Sequence, residues 1–359
     1  MRNIEELSTL FHTGADEGVY LTRNGLDVQG LDAILDRATS MKDRLEDVYV
    51  TGKDFQVEVW EGLGGLSVPV VQFKGTRRTL PMTGWAFSQL CDRVGMGATA
   101  YMKKCLKSAQ GSLVPLNVNS WLGMNGDKEF LFRVYEGEII AVLSEKYGVF
   151  DHAEALNCLQ TALGTEDSRY SLESYSITPD NMNVRLVDPE NIIMTDPLGK
   201  TDTSTAGIIF RNGQTGRSSI SIEFMVYTFA CTNGLIITKD RGVVYYRKHI
   251  QVDQEHFVQE VVNTLQTFPE YTRHVRADLE DARTRKVDLV SDRALMEKVK
   301  RDLSIGEDTL EKIVDVMVND WDQTIWGLSG AITQVAQDFN AQRQYEFEKY
   351  AGTLVHWGN

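Results

Sequence analysis

The sequence predicts an α+β protein with a twisted, mainly antiparallel sheet, built from hairpins and meanders and backed by helices. Between Phe55 and Arg247, short β-rich runs alternate with glycine-rich turns, which is typical of strands joined by hairpins. Beyond Asp253 the apolar residues recur at helical spacing, so the last third of the chain is predicted to be helical. Strands followed by helices, without regular alternation of the two, favour α+β over a doubly wound α/β fold.

This pattern divides the chain into an N-terminal helical arm at residues 1–50, an α+β core at 51–250 and a helical C-terminal region at 251–359. The arm is predicted because apolar residues in a polar context have helical spacing. Those residues are Ile4, Leu7, Leu10, Phe11, Leu31, Ile34, Leu35 and Ala38.

The first half of the core is predicted to combine hairpins with helices. Residues 55–60 alternate between apolar and polar side chains, and residues 66–73 form their partner strand after a glycine-rich turn. Thr83 is predicted to cap a helix that reaches Val94, and a second helix follows. Further strands are predicted at residues 116–122, 129–135 and 138–144, joined by Asn-Gly-Asp and Glu-Gly turns.

The second half of the core is predicted to begin with a helix and to continue as strands. Asp151 followed by Glu154 resembles a capping box for a helix through Leu163. Pro, Gly, Asp and Thr residues make 188–204 a loop that we expect to be mobile. Strands are predicted at residues 169–177, 182–187, 208–210, 219–231 and 243–249, with one more run after Gly234.

The C-terminal region is predicted to contain several amphipathic helices. Phe257 and Val261 begin the first apolar stripe, and Pro269 is expected to interrupt that helix. Ser304 and Glu307 have the spacing of a capping box for a helix at 310–318. The aromatic residues near the C-terminus add to the apolar surface that these helices can bury.

The composition is that of an ordinary soluble globular protein. The chain has 359 residues, of which 42% are hydrophobic and 25% are charged, enough for a large core with two packed subregions. No apolar run approaches the roughly 20 residues of a membrane span, and the first residues lack the apolar core of a signal peptide. We therefore expect a cytoplasmic protein with no membrane association.

The cysteines form no Cys-x-x-Cys pair and are expected to be buried, reduced thiols; they are Cys91, Cys105, Cys158 and Cys231.

The net charge of -14 argues against a protein that binds nucleic acid with its whole surface. The charge is uneven along the chain, however. Residues 73–111 carry 7 Lys and Arg against 1 Asp, and residues 208–249 carry 6 against 2 acidic residues. These two segments are candidates for a local anion-binding face.

The sequence contains no recognisable catalytic, metal or cofactor motif, so we predict no catalytic residue, no metal ligand and no cofactor. The glycine-rich segments at 62–65 and 95–97 lack the Lys and Ser/Thr of a P-loop, and the histidines include no helical metal pair.

Cys231 and His249 allow a nucleophile-and-base interpretation. Cys231 ends an apolar run, however, so we expect it to be buried and unreactive. Glu223, inside an apolar strand, is expected to face solvent on the alternate side.

The last part of the core combines aromatic and cationic side chains. Tyr245 and Tyr246 point to opposite faces of a strand, so one is expected in the core and the other beside Arg247 or Lys248. Exposed aromatic rings and cations suit single-stranded nucleic acid, because every base can stack and every step carries a phosphate. A solvated strand end is the alternative interpretation. The candidate nucleic-acid-binding residues are Arg211, Arg217, Arg241, Tyr246, Arg247, Lys248 and His249.

Several segments together resemble a known family. Residues 131–147 contain Leu-Phe-Arg and then a strand that ends in Ser-x-x-Tyr, and residues 212–216 read Asn-Gly-Gln-Thr-Gly. Residues 231–235 read Cys-Thr-Asn-Gly-Leu, and residues 247–249 close the pattern with Arg-Lys-His. In this order they resemble the phage/plasmid-like proteins of domain of unknown function 932, over roughly residues 83–326. The resemblance implies a mobile-element origin, in a phage, prophage or plasmid of a bacterial host cell, and no established activity.

Functions of different classes are compatible with these features. The first hypothesis is a nucleic-acid-binding protein of a mobile element that binds or anneals single-stranded DNA in recombination and forms a homo-oligomer through its C-terminal helices. The second is a non-enzymatic interaction or regulatory protein, for example one that counters host defence, whose acidic helical part binds a basic protein partner. An enzyme with a site between the meander and the 188–204 loop is a third alternative, since a sequence does not show which titratable groups converge.

Overall fold

A computed structural model describes residues 19–20, 30–62, 66–165, 170–194, 203–228, 233–237, 243–247, 253–288 and 292–356. Within these residues, helices and three antiparallel sheets form an α+β fold, and the part from residue 254 onwards is helical. The predicted fold class is therefore confirmed.

The strands are numbered in chain order. They are β1 (Val19–Tyr20), β2 (Leu45–Thr51), β3 (Phe55–Glu61), β4 (Ser67–Phe73), β5 (Thr79–Pro81), β6 (Glu129–Tyr135), β7 (Glu138–Ser144), β8 (Ser171–Ile177), β9 (Asn181–Met194), β10 (Ser204–Gly213), β11 (Ile220–Thr228), β12 (Asn233–Ile236) and β13 (Val243–Arg247).

The helices are numbered in the same way. They are α1 (Gly30–Lys42), α2 (Gly84–Arg93), α3 (Thr99–Leu106), α4 (Leu113–Met124), α5 (His152–Thr165), α6 (Gln254–Thr284), α7 (Arg293–Asp302), α8 (Glu307–Asp320), α9 (Ile325–Ala336) and α10 (Ala341–Val355).

The largest sheet has the strand order β1-β8-β9-β10-β11-β12, and β13 also pairs with β11. Its central strands are buried on both faces. On β10, Ile208 and Phe210 contact the largest core, whereas Ile209 packs with Ile236 and Tyr345 on the opposite face. Because α10 covers that second face, β10 and β11 have no solvent side along their length.

The largest core lies between this sheet and the helices. Helix α1 packs against α5 and buries Leu31, Ile34 and Ala38 in this core, as their helical spacing predicted. Residues 45–50, which we assigned to a helical arm, instead form strand β2 and pair with β6 along its length. The physical reason is local: the Val-Tyr-Val run at 48–50 favours an extended strand.

Two small sheets, β2-β6-β7 and β3-β4-β5, enclose a second core together with α2, α3 and α4. Aromatic rings dominate its centre. The ring of Phe55 meets those of Phe132 and Phe130 edge to face, with centroids 4.9 and 5.6 Å apart. Thr83 caps α2 by accepting a hydrogen bond from Ala86 N, as predicted.

Residues 113–124, part of which we expected to be a strand, form helix α4. Val114, Val118 and Leu122 are buried at a spacing of four residues, which is a helical stripe. Asn119 fixes the helix on β3, since its side chain accepts from Val57 N at 2.8 Å and donates to Val57 O at 2.9 Å. The Asn-Gly pair after this segment favoured a hairpin, but here it follows a helix.

Pro269 does not interrupt the first C-terminal helix, because α6 continues from Gln254 to Thr284. A proline inside a helix costs about 3 kcal/mol. Burial of each large apolar side chain contributes roughly 1.5–3 kcal/mol, and α6 buries several on both sides of the proline. They are Phe257, Val261, Leu265, Phe268, Val275 and Leu279.

Other sequence predictions about element boundaries have mixed outcomes. Asp151 N donates to Glu154 at 3.0 Å, which confirms that part of the capping box. Ser304 does not cap α8: its φ of 50° places it in the turn that ends α7, and Gly306 is the N-cap. The predicted 188–204 loop is shorter, because β9 reaches Met194; residues 195–202 lie outside the described residues.

The cysteine prediction is confirmed for the described residues. Cys91, Cys105 and Cys158 are buried free thiols. Cys231 lies outside the described part of the chain, so its burial stays a prediction.

Candidate nucleic-acid interface

Arg211, the first of the predicted nucleic-acid-binding residues, lies inside the protein. Its side chain is 5% exposed. Arg211 Nε donates to Asn183 at 2.7 Å, and its Cζ stacks 3.5 Å from the ring centroid of Tyr345. Arg211 Nη2 also donates to Gln342 at 3.1 Å. The prediction that Arg211 is exposed is wrong, because α10 covers this face of the sheet.

Arg217 reaches the surface but is paired. Its side chain is 44% exposed, and Nη1 lies 3.6 Å from Asp180 Oδ2. Its guanidinium also stacks over Trp85, with 4.9 Å between Cζ and the ring centroid. A phosphate at this position competes with a carboxylate already present.

The other predicted residues lie in the last strand of the largest sheet or outside the described residues. Tyr246 and Arg247 belong to β13, where their backbones pair with Ser221 and Ile220 of β11. The remaining residues, Arg241, Lys248 and His249, lie outside the described residues. A role of these residues in binding stays a prediction.

Glu223 is buried, contrary to the expectation that it faces solvent. It has 0% exposure and accepts hydrogen bonds from Tyr345 Oη at 2.7 Å and from Lys349 Nζ at 3.2 Å. Burial of an unpaired carboxylate is costly, so these partners on α10 are what allow Glu223 to lie there. The alternation argument failed because the second face of the sheet is also covered.

A second carboxylate, Glu348, lies in the same layer between the sheet and α10. It is fully buried and accepts from Arg185 Nη2 and from Gln344 Nε2, each at 2.8 Å. Burial raises the pKa of Glu348, while the positive charge of Arg185 opposes that rise. These polar groups bind one another across the interface, so they hold α10 on the sheet.

Residues 212–215 of the Asn-Gly-Gln-Thr-Gly turn are also buried, and Gly216 at its end is exposed. Trp85 Nε1 and Gln89 Nε2 of α2 both donate to Thr215 O, at 3.2 and 2.9 Å. Gly216 has a φ of 73°, and a Cβ there would meet Leu143 at 2.8 Å, so the position requires glycine. This turn therefore joins the largest sheet to α2, whose buried residues belong to the second core.

Arg133 joins several of the segments that carry the sequence resemblance. It is 1% exposed; Nε donates to Asp47 at 2.9 Å, Nη1 to Gln214 O at 3.0 Å and Nη2 to Asp151 at 2.5 Å. Tyr147 Oη donates to the same turn, at Gly213 O. These contacts connect the two cores, and each of the three guanidinium nitrogens donates to a protein acceptor. This arrangement is typical of a structural joint.

An exposed cationic surface lies on α3. Along this helix, Tyr101, Lys104 and Lys107 follow one another at intervals of three residues, so they lie on one side of it. Tyr101 is 52% exposed, and both lysines are exposed. Lys103 lies beside them and is half-buried. We call Tyr101, Lys103, Lys104 and Lys107 the lysine face.

The lysine face has no acidic partner within the described part of the chain. No described carboxylate lies within ion-pair distance of Lys103, Lys104 or Lys107. The helix also has no acidic residue in its first turn. The excess of Lys and Arg at 73–111 is visible in the sequence, but these residues are not among the binding residues predicted above. Other cations of that segment are engaged: Arg78 pairs with Glu46 at 2.5 Å.

The chain matches the model of a protein family. The model of the family described as "Domain of unknown function (DUF932)" matches residues 139–351, more than half of the chain. The chain belongs to the DUF932 family. Within DUF932, the matched region runs from β7 to α10 and contains the turn at 212–216 and the layer beneath α10. The lysine face precedes it.

No curated protein and no solved structure matches this DUF932 chain. Among the described residues, none of the helices is both long and apolar enough to cross a membrane. The same residues contain no group of three or more His, Cys, Asp or Glu side chains placed to hold a metal ion. The description of the DUF932 family names no activity.

Proposed function

We propose that this protein is a nucleic-acid-binding protein of a phage or plasmid, and that it binds single-stranded DNA through the lysine face. The observation that carries the proposal is an exposed tyrosine beside exposed lysines that have no acidic partner among the described residues. Lysines attract phosphates, and a tyrosine ring can stack on an unpaired base. Both contacts are independent of base identity.

The net charge of -14 does not oppose this location. Surface charges are screened over about 8 Å at physiological salt, so the local potential decides whether a phosphate is attracted. In the region first predicted to bind, Arg211 is buried and Arg217 is paired. The lysine face therefore has the stronger support.

Binding of a labelled single-stranded oligonucleotide across a salt series tests the proposal. We expect Lys104→Ala with Lys107→Ala to weaken binding and to reduce the salt slope by about 1.4, since each phosphate contact contributes about 0.7 for single strands. Tyr101→Ala should weaken binding by about 1–3 kcal/mol through lost stacking, with an unchanged salt slope. Tyr101→Phe keeps the ring and should bind like the parent.

The matched control is Lys146→Ala with Lys286→Ala, which removes the same charge from two exposed lysines elsewhere. We expect the control to bind like the parent. Equal weakening in the control would show a general charge effect and would count against the lysine face. A parent without measurable affinity at low salt would favour the interaction-protein hypothesis.

A further inference from the structure

An acidic stripe runs along the exposed side of α8. Asp308, Glu311 and Asp315 are exposed, and Val318, which is 50% exposed, continues the row. At about 100° per residue these four positions fall within an arc of about 80°. The opposite side of α8 is buried in the largest core through Leu310, Ile313 and Met317. We call Asp308, Glu311, Asp315 and Val318 the acidic stripe.

The acidic stripe has no cationic partner among the described residues. No described Lys or Arg lies within ion-pair distance of Asp308, Glu311 or Asp315. The neighbouring charges on this helix are neutralised, since Lys312 pairs with Asp338 and Glu307 pairs with Lys300. One side of α8 thus presents uncompensated negative charge around an exposed apolar residue.

The lysine face is complementary to this stripe. It combines uncompensated positive charge with an exposed Tyr101 ring, and the aliphatic stems of Lys104 and Lys107 can contact Val318 while their amines reach the carboxylates. We propose that the acidic stripe of one copy of this chain binds the lysine face of a second copy. The contact is a chain-to-chain interface, and it rests on the proposed function in using the same lysines.

Two consequences distinguish this interface from a symmetric dimer contact. It is heterologous, because the two patches differ, so each copy can bind one neighbour through each patch. It also competes with nucleic acid for Lys104 and Lys107. Single-stranded DNA therefore displaces the neighbouring copy, and self-association lowers the apparent affinity for DNA in proportion to the fraction of faces that remain free.

The mass of the protein in solution, measured without nucleic acid, tests the interface. At low salt we expect the parent to exceed the 40.5 kDa monomer in a concentration-dependent way and to become monomeric at about 1 M salt. Lys104→Glu with Lys107→Glu removes the lysine face, and Glu311→Lys with Asp315→Lys removes the acidic stripe. Each of these variants should be monomeric.

Mixing provides the sharper result. Each variant keeps one parental patch, and in an equimolar mixture the acidic stripe of the lysine-face variant can bind the lysine face of the acidic-stripe variant. The altered patches, now acidic on one variant and basic on the other, also carry opposite charge signs. We expect the mixture to associate again as alternating copies of the two variants, including species larger than a 1:1 dimer. A variant that carries all four substitutions has exchanged both charge signs and should associate again. The control Lys146→Glu with Lys286→Glu has the same net charge as the lysine-face variant and should associate like the parent.

A monomeric parent at low salt would overturn the interface, as would a mixture that stays monomeric.

Oligonucleotide binding separates this result from the proposed function. Where about nine tenths of the parent is associated, the acidic-stripe variant should bind about tenfold more tightly. The matched variant Glu145→Lys with Glu297→Lys should not show this gain. DNA binding without self-association would retain the proposed function and exclude the interface; self-association without DNA binding would do the reverse.

Discussion

At the scale of single residues, the layer beneath α10 shows how charged side chains are accommodated in the interior. Glu223 and Glu348 are both fully buried, and each has a cationic partner, Lys349 or Arg185. Removing one member of such a pair leaves an uncompensated buried charge, which is usually more costly than replacing the pair. The partners on α10 and on the sheet therefore depend on each other.

Glu348 should make the stability of the protein depend on pH. Because burial raises its pKa, the native state binds the proton more tightly than the unfolded state. The contribution of Glu348 to the free energy of unfolding therefore falls as pH rises from the unfolded glutamate value through the raised native value. Glu348→Gln cannot ionise, so its stability relative to the parent should increase with pH. Urea unfolding of both proteins between about pH 4 and 8 measures this difference.

The control is Glu346→Gln, two residues earlier on the exposed side of α10. Its ion pair with Arg343 is at the surface, where such pairs contribute about 0–1 kcal/mol. If the stability difference between Glu348→Gln and the parent does not change with pH, the buried carboxylate is not the source of the dependence.

At the scale of elements, α10 approaches the sheet more closely than a side chain would allow. A Cβ on Gly352 would lie less than a normal contact distance from the carbonyl oxygen of Ile236 on β12. Helix α10 also contributes Phe347, Leu354 and Val355 to the largest core. The close approach and the buried apolar side chains together explain why this helix covers one face of the sheet.

Gly352→Ala should therefore destabilise the protein. In an open helix the change stabilises by about 1 kcal/mol, because alanine has the higher helix propensity. At Gly352 the new methyl group overlaps backbone atoms that cannot rotate away, and overpacking of this kind costs about 1–3 kcal/mol. The free energy of unfolding in urea measures the net effect.

Gly164 provides the matched control in α5. A Cβ there would have open space around it, so Gly164→Ala should leave stability unchanged or raise it. If both variants changed stability in the same direction, helix propensity and not the approach to β12 would be the cause.

At the scale of the whole molecule, Arg133 and the turn at 212–216 connect the two cores. Arg133 lies on β6, in the sheet β2-β6-β7. Its partners include Asp47 on β2, Asp151 before α5 and the carbonyl of Gln214 after β10. These partners are distant in sequence. Loss of the guanidinium would leave Asp47 without its cation and Asp151 with only Lys42, at 3.9 Å, at the boundary between the two cores.

Arg133→Met should lower the free energy of unfolding by about 3–5 kcal/mol, the cost of breaking a buried charge pair. We expect denaturant unfolding, followed by tryptophan fluorescence and circular dichroism, to show this loss. Arg44→Met is the control, because Arg44 pairs with Glu136 at the surface and should cost no more than about 1 kcal/mol. Similar losses in both variants would contradict a special role of the Arg133 joint.

Periodicity alone predicted much of the architecture. The α+β class, the β3-β4 and β6-β7 hairpins, the Thr83 cap and the helical C-terminal part follow from local patterns, because a turn or a helical stripe needs only neighbouring residues. Where local signals competed with packing, packing decided. Residues 113–124 became a helix on β3, and α6 continued through Pro269.

The candidate surface was only partly predictable. The charge excess at 73–111, which contains Lys104 and Lys107, was visible in the sequence, since counting charges requires no structure. Whether a charged residue is exposed depends on which distant element covers it. The residues next to Arg211 and Glu223 in the sequence are those of an ordinary strand, in which many polar side chains face solvent. Both residues are buried because α10, more than 100 residues later, packs over them. The sequence by itself determined where strands, helices and cations occur, whereas tertiary packing decided which cations remain free to bind a ligand.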